Sequence, residues 1–157
     1  LTLEDIPNWE EFFVDNTQLH FVGTKTQEPK EKLAKEWINR QLNRYEAQHY
    51  GLLAVIEKET SKLIGLGGLI TREIKGQKEF EVAYSVKPKC WNMGYATEIA
   101  KTMKEFGCQN QVAKRFISMI HLDNSGSMNV ARKNGMLPLF ETNFQDMDVL
   151  VFGLEIE

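Results

Sequence analysis

The chain has 157 residues, of which 42% are hydrophobic and 26% are charged, and its formal net charge at pH 7 is −3. This composition excludes a disordered protein, and the acidic balance argues against a nucleic-acid partner, since binding to nucleic acid depends on lysine and arginine. No apolar run approaches the ~20 residues of a membrane-spanning helix, so no membrane partner is expected.

The first part of the chain is predicted to be helical. Thr2 or Asp5 can cap a short helix that tolerates Pro7 in its first turn, and the polar residues 14–28 are expected to be irregular. Pro29 then starts a longer helix. Its apolar residues recur at helical spacing and form one stripe: Leu33, Ala34, Trp37, Ile38, Leu42 and Tyr45.

Three extended runs follow the long helix. They cover residues 50–57, 63–71 and 79–86, are rich in β-formers, and are separated by polar turns. Because the turns are short, we expect an antiparallel meander.

The glycines of the second run raise the question of a dinucleotide fingerprint. That G-x-G-x-x-G pattern would need a glycine at Ile70 and a helix after it, and the sequence provides neither. Glycines inside a strand more often mark a bulge or the close approach of another backbone.

A tight turn and a helix come after the third run. Lys87-Pro88 ends the strand, because proline lacks an N–H, and Gly94 precedes a helix. The apolar stripe of that helix consists of Ala96, Ile99, Ala100, Met103 and Phe106. Free N–H groups and the positive end of the helix dipole suit an anion such as pyrophosphate. Taken alone, the turn is equally well explained as a plain strand-to-helix connection.

The rest of the chain predicts a strand, a short helix and a closing hairpin. The strand covers residues 114–122, the helix ends at Asn134-Gly135, and the hairpin joins residues 136–143 to 148–156. The order of elements predicts an α/β protein with a mixed, mostly antiparallel central sheet flanked by helices.

Two motifs together resemble the GCN5-related N-acetyltransferase (GNAT) superfamily, and more narrowly its RimJ/RimL-like branch. The branch's pyrophosphate loop typically reads W-G-K-G-Y-A-T-E, and residues 91–98 read W-N-M-G-Y-A-T-E. The strand pattern E-x-G-Y is matched by residues 81–84, with Ala83 in place of glycine. The later motif E-N-x-x-S-x-x-V-x-x-K-x-G-M/F is matched in register by Asn124, Ser127, Val130, Lys133, Gly135 and Met136.

The resemblance implies one N-acetyltransferase domain over residues 1–157 with a splayed acetyl-CoA-binding cleft. The implied reaction moves an acetyl group from acetyl-CoA to a primary amine by direct attack on the thioester, without a metal. The acceptor is either a protein N-terminus or a small-molecule amine, and the protein is a monomer or a homodimer. The family's first strand normally precedes Leu1, so a trimmed or short terminus is expected.

The resemblance also implies which residues bind the cofactor. Strand residues would pair with the pantetheine arm, loop residues would offer N–H groups to the pyrophosphate, and two later polar residues would hydrogen-bond the cofactor. In chain order these are Tyr84, Ser85, Val86, Asn92, Met93, Gly94, Tyr95, Ala96, Thr97, Asn124 and Ser127.

Catalysis requires a base, because the amine must lose a proton before it attacks. Glu81 is the first candidate, and its alternative is a solvent-facing strand residue. His121 could serve instead, although a lone histidine is more often structural. Asn124, counted among the catalytic residues, hydrogen-bonds the cofactor or the backbone at the splay, and its alternative is a helix cap. Ser127 is an acid or hydrogen-bond donor toward the leaving thiolate, and its alternative is a first-turn serine.

Two further alternatives stay open at the level of the whole protein. The tyrosine that acts as acid in many superfamily members has no clear match, since the nearest positions, Val151 and Phe152, cannot donate a proton. A non-catalytic acyl-CoA-binding module with the same fold is therefore the runner-up, ahead of a partner-binding domain without cofactor.

The acidic residues suggest a preference for the acceptor. Several of them are expected to edge the acceptor groove and favour a cationic amine, with ordinary surface charge as the alternative: Glu79, Glu81, Glu141, Asp146 and Asp148.

The cysteines and the first residues bear on location. Cys90 and Cys108 form no C-x-x-C pair and are too few for a disulfide framework. Residues 1–5 lack the charged and apolar regions of a signal peptide. We therefore predict a cytoplasmic protein with both thiols reduced.

Overall fold

Six strands form one sheet in the computed structural model, which describes residues 1–24 and 27–156. The strands in chain order are β1 (Leu52–Ile56), β2 (Leu63–Ile74), β3 (Gln77–Val86), β4 (Arg115–His121), β5 (Leu137–Phe144) and β6 (Met147–Glu155). The helices are α1 (Ile6–Trp9), α2 (Lys30–Glu46), α3 (Tyr95–Gln109) and α4 (Ser125–Lys133). Short 3₁₀ turns lie at Leu3–Asp5, Glu10–Phe13, Leu19–Val22 and Pro88–Cys90.

The strand order in the sheet is β1-β2-β3-β4-β6-β5. Neighbouring strands pair antiparallel everywhere except between β3 and β4, which run parallel. The meander of β1 to β3 and the closing hairpin of β5 and β6 are therefore confirmed, as is the mixed α/β architecture.

The N-terminal helices cover one face of the sheet. Thr2 caps the first turn in both directions: its Oγ1 accepts from Glu4 N–H at 3.3 Å, and its own N–H donates to Asp5 Oδ2 at 2.8 Å. The rings of Trp9 and Phe12 stack with centroids 4.6 Å apart. They pack with buried residues of α2 and of β2 in one apolar cluster. This cluster fixes α2 on the sheet beside β1 and β2.

The segment 14–28 was expected to be irregular; residues 25 and 26 lie outside the described residues, and for Leu19–Val22 the expectation is wrong. A 3₁₀ helix covers Leu19–Val22, and Gly23 ends it in the left-handed conformation at φ 68°. Leu19 is buried in the same apolar cluster as Trp9. The burial of this one leucine orders a turn that its polar neighbours do not indicate.

Helices α3 and α4 cover the opposite face, and glycines allow α3 to lie close to it. A Cβ placed on Gly67 would lie 2.2 Å from Ile99 Cγ2, and one on Gly107 would lie 2.5 Å from the Phe116 ring. Gly67 thus marks the close approach of a helix side chain. Gly65 and Gly68 mark the close approach of another backbone, as predicted, since a Cβ there would meet the carbonyls of Ser85 and Gly51. The expected apolar stripe of α3 fails at its end, since Phe106 is 43% exposed and Gly107 is buried in its place.

Candidate active site

The sheet opens between its two parallel strands. Pairing of β3 with β4 is limited to Phe80 with Phe116 and Glu81 with Ile117. Beyond this point residues 82–86 of β3 continue to pair with β2, while residues 118–121 of β4 continue to pair with β6. The Ser118 hydroxyl donates to the Val82 carbonyl at 2.9 Å, at the vertex of the opening. A cleft with polar backbone edges results.

The pantetheine-pairing residues implied by the resemblance lie along one edge of this cleft. Tyr84, Ser85 and Val86 all follow the vertex on β3. The Val86 carbonyl accepts a hydrogen bond from the Trp91 indole Nε1 at 2.7 Å. This bond, which sequence reasoning missed, anchors the following loop to the strand and occupies one of the edge acceptors.

The loop at residues 91–94 leads into an open helix start. Asn92 and Gly94 both have positive φ, 60° and 87°, and no side chain caps α3. Because the first N–H to bond within the helix is that of Glu98, to Gly94 O, the amides of residues 95–97 have no carbonyl partner within the helix. Successive N–H groups of this kind form an anion-binding concavity. The residues present therefore fit the pyrophosphate of acetyl-CoA.

A hydrogen-bonded turn braces this helix start. The Tyr95 hydroxyl donates to Glu57 Oε1 at 2.5 Å, and the Thr60 hydroxyl donates to Glu57 Oε2 at 2.5 Å. Hydrogen bonds from Thr60 and then Tyr95 hold the pKa of Glu57 below its ordinary value. The bond from Tyr95 ties the start of α3 to the turn that follows β1.

The start of α4 lies across the cleft from β3. Asn124 caps this helix, with its Oδ1 accepting from the Ser127 N–H at 3.0 Å. Asn124 is thus a helix cap, which was the alternative for this residue. The same cap sets the position of Ser127, whose side chain lines the cavity described below.

The side chain of Tyr84 is a further functional candidate; the sequence had predicted a role only for the backbone of this residue. Burial raises the pKa of Tyr84 to about 12, and the neighbouring Ser127 hydroxyl opposes that rise. The phenol is therefore protonated at neutral pH and can act as a donor. Strand alternation could have indicated this burial in the sequence, because Tyr84 lies with Phe80 and Val82 on the face of β3 that α3 and α4 cover.

A cavity of about 260 Å³ lies behind the cleft. Its walls come from α2, from β2, from the opened parts of β3 and β4, from the start of α4 and from the turn between β5 and β6. Glu81, Tyr84, His121, Asn124 and Ser127 all line it. The structure thus brings the candidate catalytic residues to one cavity, next to the vertex of the cleft.

Glu81 is buried, not solvent-facing, so the alternative for this residue is wrong. Arg72 Nε donates to Glu81 Oε2 at 2.6 Å. Such a partner offsets the free-energy cost of burying a carboxylate. The ion pair also fixes where the carboxylate points.

His121 has a defined hydrogen bond. The Asp123 N–H donates to His121 Nδ1 at 3.1 Å, so Nδ1 is an acceptor and the proton of the neutral ring belongs on Nε2. The ring packs against Phe21 with centroids 5.1 Å apart. These contacts favour a structural histidine over a base.

The expected acidic edge of the groove is wrong for four of its five residues. Only Glu81 lines the cavity, whereas Glu79, Glu141, Asp146 and Asp148 do not. Glu79 forms an ion pair with Arg115 and lines a separate surface depression near the start of β3. The groove therefore lacks the acidic character that would favour a cationic amine.

A cleft between splayed parallel strands, with open helix amides at one end and a lined cavity behind it, can hold an elongated ligand that carries phosphate groups. The sequence matches the acetyltransferase (GNAT) domain family over residues 1–137. The chain belongs to that family, whose members are acyltransferases. The superfamily inferred from the two motifs is confirmed.

Solved structures share the fold at low sequence identity. An acetyltransferase from Agrobacterium tumefaciens str. C58 is 21% identical with a TM-score of 0.77, covering 99% of this chain and 87% of its own. The ribosomal-protein-S5-alanine acetyltransferase from Vibrio fischeri is 13% identical, with a TM-score of 0.76 and coverages of 99% and 90%. The microcin C7 self-immunity acetyltransferase MccE, solved with acetyl-CoA and AMP, is 14% identical, with a TM-score of 0.76 and coverages of 99% and 89%.

A curated relative matches part of the chain. The uncharacterized protein YkkB of Bacillus subtilis (strain 168) is 29% identical over 104 residues, which are 65% of this chain. The match spans 59% of the length of YkkB. Within the described parts of the chain, no helix has the length and apolar character to cross a membrane.

Proposed function

We propose that this chain is an acetyl-CoA-dependent N-acetyltransferase that moves an acetyl group to a primary amine by direct attack on the thioester. The observation that carries the proposal is the end of β3–β4 pairing after two residue pairs. The opened cleft leads from the uncapped amides of α3 to the cavity that Glu81 lines.

The binding role falls mainly on backbone groups. Acetyl-CoA supplies an acetyl group activated as a thioester. The amides of residues 92–96 and the Thr97 hydroxyl bind its pyrophosphate. The cleft edge at Tyr84 pairs with the pantetheine arm, whereas the N–H and C=O of Ser85 face β2. Val86 contributes to that edge through its N–H, because its carbonyl already accepts from Trp91.

The proposed reaction has two proton transfers, one from the attacking amine and one to the leaving sulfur. Glu81, held by Arg72, accepts a proton from the acceptor amine, so that the nitrogen lone pair is free to form the new C–N bond. As the C–S bond breaks, the Tyr84 hydroxyl, next to Ser127, donates a proton to the leaving sulfur. Asn124 contributes by capping α4 and so positioning Ser127.

Both acceptor classes remain within the proposal. One solved neighbour is named for the alanine of a ribosomal protein, and another was solved with the small molecule AMP. A protein N-terminus and a small-molecule amine are therefore both candidate acceptors. Cytoplasmic location and a monomeric or homodimeric state stay predictions.

Titration calorimetry with acetyl-CoA, followed by free-thiol release with a panel of amines and short peptides, tests the proposal. We expect acetyl-CoA to bind at one site per chain and at least one amine to release thiol above the rate of hydrolysis. Failure of acetyl-CoA to bind would overturn the proposal. Binding without thiol release for any acceptor would instead favour the non-catalytic acyl-CoA-binding module.

A further inference from the structure

Most of the charged residues that line the cavity behind the cleft are arginines. Helix α2 contributes Arg40 and Arg44 to its wall, and β2 contributes Arg72. The carboxylate on the same wall belongs to Glu81, which is paired with Arg72. These two charges cancel, so the cavity keeps the positive charges of Arg40 and Arg44.

Neither remaining arginine has a carboxylate within 4.0 Å among residues 1–24 and 27–156. Arg44 is half-buried, and burial followed by the charges of Arg72 and Arg40 lowers its pKa. Burial and the two arginines outweigh the opposing effect of Glu81 on this pKa, and an anion in the cavity would relieve the repulsion between the arginines.

Arg44 is also held in a defined position. Its Nη1 donates to Gln41 Oε1 at 2.7 Å, and the same oxygen accepts from the Leu52 N–H at 2.9 Å. Gln41 itself is buried. One guanidinium nitrogen is thus used to orient the side chain, and the others remain available to bind a planar anion by two parallel hydrogen bonds.

The remaining walls limit the size and character of what the cavity can hold. Phe21, Phe144 and Met147 form an apolar side, and Trp37 lies next to Arg40, whose guanidinium carbon is 5.9 Å from the ring centroid. A volume of about 260 Å³ lies just below the range of about 300–1,000 Å³ that is usual for small-molecule sites. A compact molecule with one anionic and one apolar side fits these walls.

We propose that the acceptor is a compact primary amine that also carries a carboxylate or phosphate, such as an α-amino acid, and that Arg44, aided by Arg40, binds this anion. The amine then lies toward Glu81, which accepts its proton. This inference rests on the proposed N-acetyltransferase function and specifies the substrate class of the same site. It replaces the cationic acceptor that the sequence suggested.

Product binding tests the inference without turnover. In the presence of CoA, the affinity for N-acetylmethionine is compared with the affinity for N-acetylmethioninamide, in which a neutral amide replaces the carboxylate. A charge-assisted hydrogen bond predicts that the acid binds about tenfold more tightly. N-acetylphosphoethanolamine against N-acetylethanolamine repeats the comparison for phosphate, so the two pairs distinguish a carboxylate from a phosphate ligand.

Variants assign the effect to the arginines. We expect Arg44→Gln to remove the preference for the acid, and Arg40→Gln to reduce it. Lys35→Gln is the matched control, because it removes one positive charge from an exposed position of the same helix outside the cavity, and it should retain the preference. Equal binding of acid and amide, or undetectable binding of both anionic products, would overturn the inference.

Turnover separates this inference from the proposed function. If acetyl-CoA binds and methionine releases thiol faster than methioninamide, both stand. If acetyl-CoA binds but an acceptor without an anionic group is acetylated faster than methionine, only the anionic-acceptor inference fails; methioninamide, a polyamine and a neutral peptide are such acceptors. If acetyl-CoA does not bind while the acid product still binds at Arg44, the proposed function fails and the anion site stands.

Discussion

Glu81 is a buried carboxylate whose Oε2 accepts a hydrogen bond from Arg72. If it is the base, Glu81→Gln keeps the shape of the side chain and removes its ability to accept a proton. We expect kcat/KM for the amine to fall by about 10²-fold or more, with unchanged affinity for acetyl-CoA in calorimetry. Glu73→Gln, at an exposed position of β2, is the control and should keep full activity.

Tyr84 and Ser127 act as one unit in the proposed proton transfer, so their effects on kcat should not add. Tyr84→Phe and Ser127→Ala are each expected to lower kcat, and the double variant should be little worse than the more damaging single one. Steady-state kinetics of the four proteins measures this coupling. Fully additive losses would place the two hydroxyls in separate roles.

The pH dependence of kcat carries a second signature of Tyr84. Its pKa is raised to about 12, so the phenol keeps its proton throughout the ordinary working range. No alkaline loss of kcat attributable to Tyr84 should appear below that value, and Tyr84→Phe should leave the shape of the profile unchanged up to pH 10. A lower alkaline limb that disappears in Tyr84→Phe would contradict the assignment.

The turn around Glu57 ties the start of α3 to the end of β1. Hydrogen bonds from Thr60 and Tyr95 lower the pKa of Glu57 below 4.5 in the folded protein. The stabilisation is therefore present above pH 4.5 and is lost as the pH falls through the lower folded-state value. Glu57→Gln should flatten the acid limb of the free energy of unfolding, measured by urea titration at several pH values.

The control for that experiment is Glu59→Gln, which removes the same charge from the same turn. It should leave the acid limb as steep as in the unaltered protein. If both variants flatten the limb equally, the effect comes from net charge and the hydrogen-bonded turn has no special part in it.

The start of α3 depends on the backbone conformation of Gly94. Its φ is 87°, and a Cβ there would meet no atom within 4 Å, so Gly94→Ala introduces strain without a clash. The left-handed conformation costs an L-residue about 1–2 kcal/mol, and relief of this strain would turn the amides away from the ligand. We expect acetyl-CoA affinity to fall roughly 5- to 30-fold by that energy.

Gly126→Ala is the matched control in the first turn of α4. Its Cβ would have only an ordinary contact, 3.7 Å from Asn124 Oδ1, and alanine is the better helix former. This variant should keep its acetyl-CoA affinity and be at least as stable. Loss of affinity in both variants would indicate a general effect of added side chains and would argue against the Gly94 cradle.

The sheet consists of two arms, β1 to β3 and β4 to β6, and only two residue pairs join one arm to the other. A ligand lying in the cleft would satisfy backbone groups of β3 and hold the two arms together. Hydrogen exchange should therefore slow at residues 83–86 and at the start of α3 when acetyl-CoA is added, and remain unchanged in β1. Uniform slowing over the chain would contradict binding in the cleft.

Binding should also stabilise the molecule as a whole. A ligand at one hundred times its Kd adds about 2.7 kcal/mol to the free energy of unfolding, which thermal denaturation can measure. The matched comparison is Gly94→Ala, which should show a smaller shift in Tm at the same acetyl-CoA concentration.

Local patterns were enough to predict the elements of this fold. Alternation and turn residues gave the meander and the hairpin, and helical spacing gave α2 and α3. Long-range contacts could not be predicted in the same way: the burial of Leu19 orders a turn in a polar segment, and Gly107 replaces Phe106 on the buried side of α3.

The site was predictable where the backbone determines it and not where side chains from distant elements meet. The loop at Gly94 was identified by its motif, and its conformation follows from glycine. Arg44 and Arg72 come from α2 and β2, whose approach to Glu81 depends on how the whole sheet is covered. The sign of the cavity's charge was accordingly mistaken.

The open amides of α3 have a consequence for how this sequence can change. Every residue except proline carries a main-chain N–H, so a ligand held by such groups tolerates almost any side chain at Met93, which is exposed. At Asn92 the positive φ of 60° restricts the choice to residues that adopt the left-handed conformation readily, such as asparagine, aspartate and glycine. Randomising positions 92–94 and selecting for coenzyme retention should therefore recover chiefly asparagine, aspartate or glycine at position 92, many residues at position 93 and chiefly glycine at position 94. Drift of this kind is compatible with sharing a fold at 13% identity and a TM-score of 0.76.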